Sequence, residues 1–160
     1  MKIEVFLILH NIRSLYNVGS IFRTADAAGV SKIFLTGYTP SPRDVFGNFR
    51  KEISKTALGA EKYMPWQKMS DIGGLTEELN GKKVQIVALE QSEKSIDYRK
   101  FKPHFPIALI LGNEVMGLSP ALLKKCDKII EIPMRGRKES LNVAVSAGVA
   151  LFRILENTKN

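Results

Sequence analysis

Three short stretches hold the residues best suited to chemistry on a polar ligand. In the first, Asn17, Gly19 and Arg23 are spaced N-x-G-x-x-x-R. The second, Leu109 to Ser119 (LILGNEVMGLS), sets the carboxylate of Glu114 between Gly112 and Gly117. The third, Lys128 to Phe152 (KIIEIPMRGRKESLNVAVSAGVALF), runs from a β-branched strand through Pro133 and Gly136 to Ser140, Leu141 and Asn142. Pro133 has no N–H and ends the strand, so a polar loop follows, and a helix begins at Ser140-Leu141-Asn142. Loop and helix start together present backbone N–H and C=O groups at one place, as a polar ligand requires. An ordinary β-loop-α connection accounts for the same pattern equally well. In the first stretch, likewise, Asn17 reads as a helix N-cap and Arg23 as an exposed helix charge. The second stretch fails as a phosphate-binding P-loop, because Leu118 stands where Lys is needed and Glu114 would face the phosphates.

The elements that must position these residues follow from hydrophobic patterning. Ile3–Leu9 (IEVFLIL), Ser31–Thr36, Val84–Leu89 and Ile107–Leu111 are short apolar runs, as expected of strands covered on both faces of a parallel sheet. Ile21, Phe22, Ala25 and Ala28 repeat at helical spacing and end at Gly29, a C-cap. The stretch from residue 37 to residue 49 reads as a loop. Arg50–Lys62 lacks a strong apolar stripe and reads as short helix and loop at the surface. There Arg43, Arg50, Lys51 and Lys55 suit either a phosphate backbone or plain solvent. Trp66–Leu79 is expected to contain a helix starting near Ser70 or Asp71, with Gly81 after its end, and Ser119-Pro120 opens another. Glu90–Ser95 forms a polar loop at a strand's carboxyl end, where ligands sit in open α/β sheets. Strands alternating with helices argue an α/β fold with a parallel sheet wrapped on both faces.

Composition narrows the function classes. At 160 residues the chain is one domain's worth, and with a strand starting at Ile3 a single domain over 1–160 without a further RNA-binding domain is expected. No apolar run approaches the ~20 residues of a membrane span, and the start has no cleavage site, so a cytoplasmic protein off the membrane is expected. Cys126 is the only cysteine, and His10 and His104 lie far apart, so no disulfide or metal site is expected. The net charge of +8 favours a polyanionic partner. From Asn142 to about Asn157 the last helix has no strongly polar residue between Ser146 and Arg153, which predicts burial against a second copy.

In wording and order, the three stretches resemble the signature motifs of the SpoU/TrmH branch of the SPOUT RNA methyltransferases, from residue 10 to residue 152. The resemblance implies a Rossmann-like sheet whose C-terminal part is threaded as a trefoil knot, against the general rule that connections do not knot. It implies S-adenosylmethionine held by Leu89, Gly112, Ile132, Met134, Ser140 and Leu141, and catalytic positions at Asn17, Arg23, Glu114, Ser140 and Asn142. The reaction implied is methylation of a ribose 2′-hydroxyl in tRNA or rRNA, by a homodimer whose active sites form at the subunit interface. The family assigns activation of the hydroxyl to the arginine, here Arg23. A guanidinium has a pKa of about 12 or more, so Arg23 acts either as a strongly perturbed base or as a charged anchor for phosphate and alkoxide. The competing reading is a catalytically silent RNA-binding module of the same fold. Loss of any of the five catalytic positions would favour it, and all five are present. A small-molecule enzyme of Rossmann or flavodoxin-like type calls for a glycine-rich first turn, where this chain has only Gly19.

Overall fold

The computed structural model describes residues 3–156 and 158. In chain order the elements are β1 (Val5–His10), α1 (Leu15–Ala28), β2 (Lys32–Thr36), α2 (Lys51–Ala57), α3 (Ala60–Tyr63), β3 (Trp66–Met69) and α4 (Ile72–Gly81). Then follow β4 (Gln85–Leu89), β5 (Ile96–Asp97), β6 (Ile107–Leu111), α5 (Pro120–Leu123), β7 (Lys128–Glu131) and α6 (Val143–Leu155). The expected end of the last helix, Asn157, lies outside the described residues.

The strands form one seven-stranded sheet in the order β3-β2-β1-β6-β4-β7-β5, and every pairing is parallel. β6 is buried at all five positions because it lies between β1 and β4 with helices above and below. Side chains alternate across the sheet. Leu7, Leu9 and Val87 join Ile21, Phe22, Ile53, Ala147 and Leu151 on the face of α1, α2, α3 and α6. Ile8, Ile86 and Ala88 join Leu75, Leu79 and Leu122 on the face of α4 and α5. The expected α/β sandwich with helices on both faces is therefore present. From β1 the chain builds outward through β2 and β3, then crosses to the far side of β6. The carboxyl ends of β1 and β6 thus mark the switch point at which such sheets bind ligands.

Several boundaries differ from the sequence reading. Helix α1 begins two residues before Asn17, with Ser14 as N-cap: its Oγ accepts from Asn17 N at 3.2 Å. Asn17 is therefore in the first turn, and its side chain is free for other work. Ser14 caps as well as Asn does, and Leu15 and Tyr16 tolerate the helix. The 50–62 segment is less superficial than expected, since Ile53, Ala57 and Ala60 are buried. It packs so closely on α1 that a Cβ at Gly19 would lie 2.3 Å from Ile53 O and 2.1 Å from Thr56 Oγ1. Within 66–79, Trp66–Met69 is an edge strand before the helix, whose N-cap is Asp71. Gly81 closes that helix as its last residue. Gly29 caps α1 in the left-handed region, as read.

Candidate active site

The loops after β4, β6 and β7 converge at the carboxyl end of the sheet around a cavity of about 340 Å³. All six residues expected to hold a donor line it: Leu89, Gly112, Ile132, Met134, Ser140 and Leu141. Leu89 ends β4, Gly112 follows β6, and the other four belong to the segment between β7 and α6. Parallel pairing of β4 with both β6 and β7 brings these strand ends level. Gly112 owes its identity to the loop's own packing, because a Cβ there would lie 2.6 Å from Leu118 Cδ2 and 2.9 Å from Gly117 C. Gln91 Nε2 donates to Glu139 O at 2.7 Å and ties the first loop to the third.

At the rim, three catalytic candidates form one hydrogen-bonded chain. Asn142 caps α6, its Oδ1 accepting from Ala144 N and Val145 N. Its Nδ2 donates to Asn17 Oδ1 at 3.0 Å, and Asn17 Nδ2 donates to Glu114 Oε1 at 3.4 Å. Glu114 also accepts from Arg13 N and Ser14 N, each at 3.2 Å, so its carboxylate sits on the positive end of α1. Partial burial works against its charge, but the backbone bonds, its own included, and the Asn17 amide outweigh burial and hold its pKa below the ordinary value. Glu114 is an anion that orients Asn17, and Asn17 in turn fixes the amide of Asn142.

Ser140 lies in the cavity wall with Glu114, but Arg23 does not join them. It is exposed on α1, six positions past Asn17, and is not among the residues lining the cavity. Some participants were not singled out from sequence. Asn113 Oδ1 accepts from Val115 N and Met116 N, and Asn113 Nδ2 donates to Asn11 O and Tyr38 Oη, which fixes the second loop against the end of β1. Glu90 accepts from Leu118 N at 2.9 Å. The charged residues lining the cavity are Glu90, Glu114, Glu131 and Glu139, with no Lys or Arg among the lining residues. In a chain of net charge +8 this local inversion suits a cationic ligand. The basic residues of the 43–55 region are partly engaged within the fold: Arg43 lies 4.0 Å over the Phe49 ring, and Arg50 Nε donates to Ser41 O. Among the described residues, no helix is long and apolar enough to cross a membrane.

Known proteins resemble this chain in sequence and fold. A curated Staphylococcus saprophyticus protein assigned to the TrmH family of tRNA/rRNA methyltransferases is 33% identical over 96% of this chain and 59% of its own length. An rRNA methyltransferase from Sinorhizobium meliloti is 31% identical, with a TM-score of 0.86 over 98% of this chain and 57% of that one. The AdoMet-bound form of that enzyme matches at TM-score 0.83. The A. aeolicus TrmH/SpoU tRNA modifying enzyme matches at TM-score 0.83 and 27% identity, over 97% of this chain and 75% of that one. The chain thus spans just under three-fifths of the first two relatives. These likenesses give it the SPOUT fold, the knotted form of the parallel α/β sheet. The model of the SpoU rRNA Methylase family matches residues 4–152, and the chain belongs to that family.

Proposed function

We propose that this chain transfers a methyl group from S-adenosylmethionine to a ribose 2′-hydroxyl of tRNA or rRNA. The observation that carries the reading is the cavity of about 340 Å³ that joins an acid-lined space to the Asn17–Glu114–Asn142 chain through Glu114. The residues suit the donor. Leu89, Ile132, Met134 and Leu141 offer apolar bodies to the adenine, and the carboxylates suit a ligand bearing ammonium and sulfonium charge. When bound, the donor supplies an electrophilic methyl carbon.

The chain's own residues do the rest. The fixed amides of Asn17 and Asn142, with Ser140 nearby, orient the incoming ribose. The hydroxyl must lose its proton as the new C–O bond forms and the C–S bond breaks. Arg23 is the candidate for that step, either taking the proton itself or staying as a charge that holds the neighbouring phosphate and the developing alkoxide. Its absence from the lining of this chain's own cavity supports a composite site in which Arg23 of one copy serves the cavity of another. Helix α6 supports the same homodimer, because Val145 and Phe152 are exposed on it while Ala147, Ala150 and Leu151 face the core.

The test is methyl transfer from labelled S-adenosylmethionine to total RNA from a strain lacking this protein, followed by nucleoside analysis. Label on a ribose is expected. Label on a base, or on no RNA, would overturn the assignment.

A further inference from the structure

Tyr38 stands beside the proposed catalytic rim with its backbone locked and its ring in solvent. Its N–H donates to Asn11 Oδ1 at 3.1 Å, and Lys68 Nζ holds the carbonyl of Gly37 at 2.7 Å. On the other side Thr39 is fully buried, donating to Leu9 O and accepting from Ile12 N. The residue nevertheless remains 57% exposed. Its phenol oxygen accepts from Asn113 Nδ2 at 2.7 Å, which leaves the phenol proton free to donate. Asn113 separates Gly112 in the cavity from Glu114 at its rim, and by accepting from Val115 N and Met116 N it holds both of those side chains outward, 90% and 83% exposed. A rigid aromatic face and two apolar side chains are thus set in solvent at the entrance to a polar, acid-lined cavity.

A nucleotide whose ribose reaches Glu114 must be turned out of its stack, and its base then needs a new face to lie on. We propose that Tyr38, tied through Asn113 to the loop that carries Val115 and Met116, is the surface on which the base of the target nucleotide stacks. This rests on the methyltransferase reading above and adds that the target base is unpaired when methylated. An exposed phenol ring offers a base a flat π-face, and the ring loses little freedom on binding because its hydroxyl is already tied. The apolar stripe suited to a second copy lies elsewhere, on α6.

The test compares wild type, Tyr38→Ala and Tyr38→Phe in methyl transfer to total RNA from a strain lacking the protein, with donor affinity measured by calorimetry and assembly by sedimentation. Tyr38→Ala is expected to lower kcat/KM for RNA by roughly tenfold or more, mostly through KM, with donor affinity unchanged. Tyr38→Phe keeps the ring and is expected to restore most of the loss. Wild-type kcat/KM in Tyr38→Ala would overturn the inference. Equal losses in both variants would overturn it in favour of the hydroxyl tie to Asn113, and dissociation of Tyr38→Ala into smaller species would assign the ring to a partner subunit instead. If the wild type itself labels no RNA, the proposed function falls and this inference with it.

Discussion

Asn142 Nδ2 lies 3.0 Å from Asn17 Oδ1, which joins the cap of the last helix to the first turn of the first across 125 positions of sequence. The two residues have different second duties. Asn142 also satisfies two backbone donors of α6, whereas Asn17 reaches Glu114.

That difference predicts unequal stability effects. Asn142→Ala should destabilise the fold by about 1 kcal/mol through the lost cap, lowering Tm by roughly 2–4 °C, while Asn17→Ala should change Tm little. Both should cripple methyl transfer. Thermal melts beside single-turnover assays check this, and equal Tm losses would show that the cap is not what Asn142 contributes.

Glu114 predicts a pH dependence. Its native pKa lies below its ordinary value of 4.5, so it contributes stability that is fully present above that value and is lost as the pH falls through the native pKa. Urea midpoints for wild type and Glu114→Gln should therefore differ most at neutral pH and converge below about pH 4.5. A constant gap across that window would mean that the carboxylate's charge is not what its backbone donors stabilise.

At Gly112 the expected damage is to the loop. A methyl group there meets Leu118 and the carbonyl carbon of Gly117, so Gly112→Ala should displace the second loop and weaken donor binding by roughly tenfold or more in calorimetry. Leu118→Ala in the same chain should restore little, because the backbone of Gly117 remains in the way.

Gly19 makes the matching prediction for the scaffold. Gly19→Ala should destabilise the protein by more than ~1 kcal/mol, since Ile53 O cannot move aside without shifting α2. Chemical denaturation measures it, and adding Thr56→Ala should leave most of the loss in place.

Arg23 separates charge from geometry. Arg23→Ala should leave folding within about 0.5 kcal/mol of wild type and abolish transfer. Arg23→Lys should keep part of the activity only if Arg23 is an electrostatic anchor. Co-expressed Arg23→Ala and Asn142→Ala subunits should regain one working site per dimer if the arginine acts across subunits. Wild-type rates in Arg23→Ala would refute its role.

The interior strands were legible because continuous β-branched and apolar runs admit few other readings, and Ile107–Leu111 is buried at every position. The edges were not. Trp66–Met69 carries polar residues in an exposed strand, and Ile96–Asp97 is two residues long, so neither has a periodic signal. The packing of 50–62 on α1 was hidden because Ile53 is the one large apolar residue buried there among small ones, Ala57, Ala60 and Gly19, and small residues make a faint stripe. At the site, the glycines, Pro133 and the strand ends located the cavity. Asn113 and Tyr38 escaped notice because their importance lies in bonds to residues 102 and 75 positions away. Arg23 shows a different limit: spacing puts it on α1, but not whether it reaches the cavity, and in the structure it is exposed and outside the cavity's lining.

The four glutamates lining the cavity have a consequence for turnover. The donor would enter carrying a sulfonium charge and leave as a neutral thioether, so a carboxylate-lined space holds the loaded molecule more tightly than the spent one. The same charges would repel RNA phosphates from the pocket and reserve it for the donor. Discharge of the methyl group would thereby loosen the grip on what remains, making the chemical step itself the trigger for release.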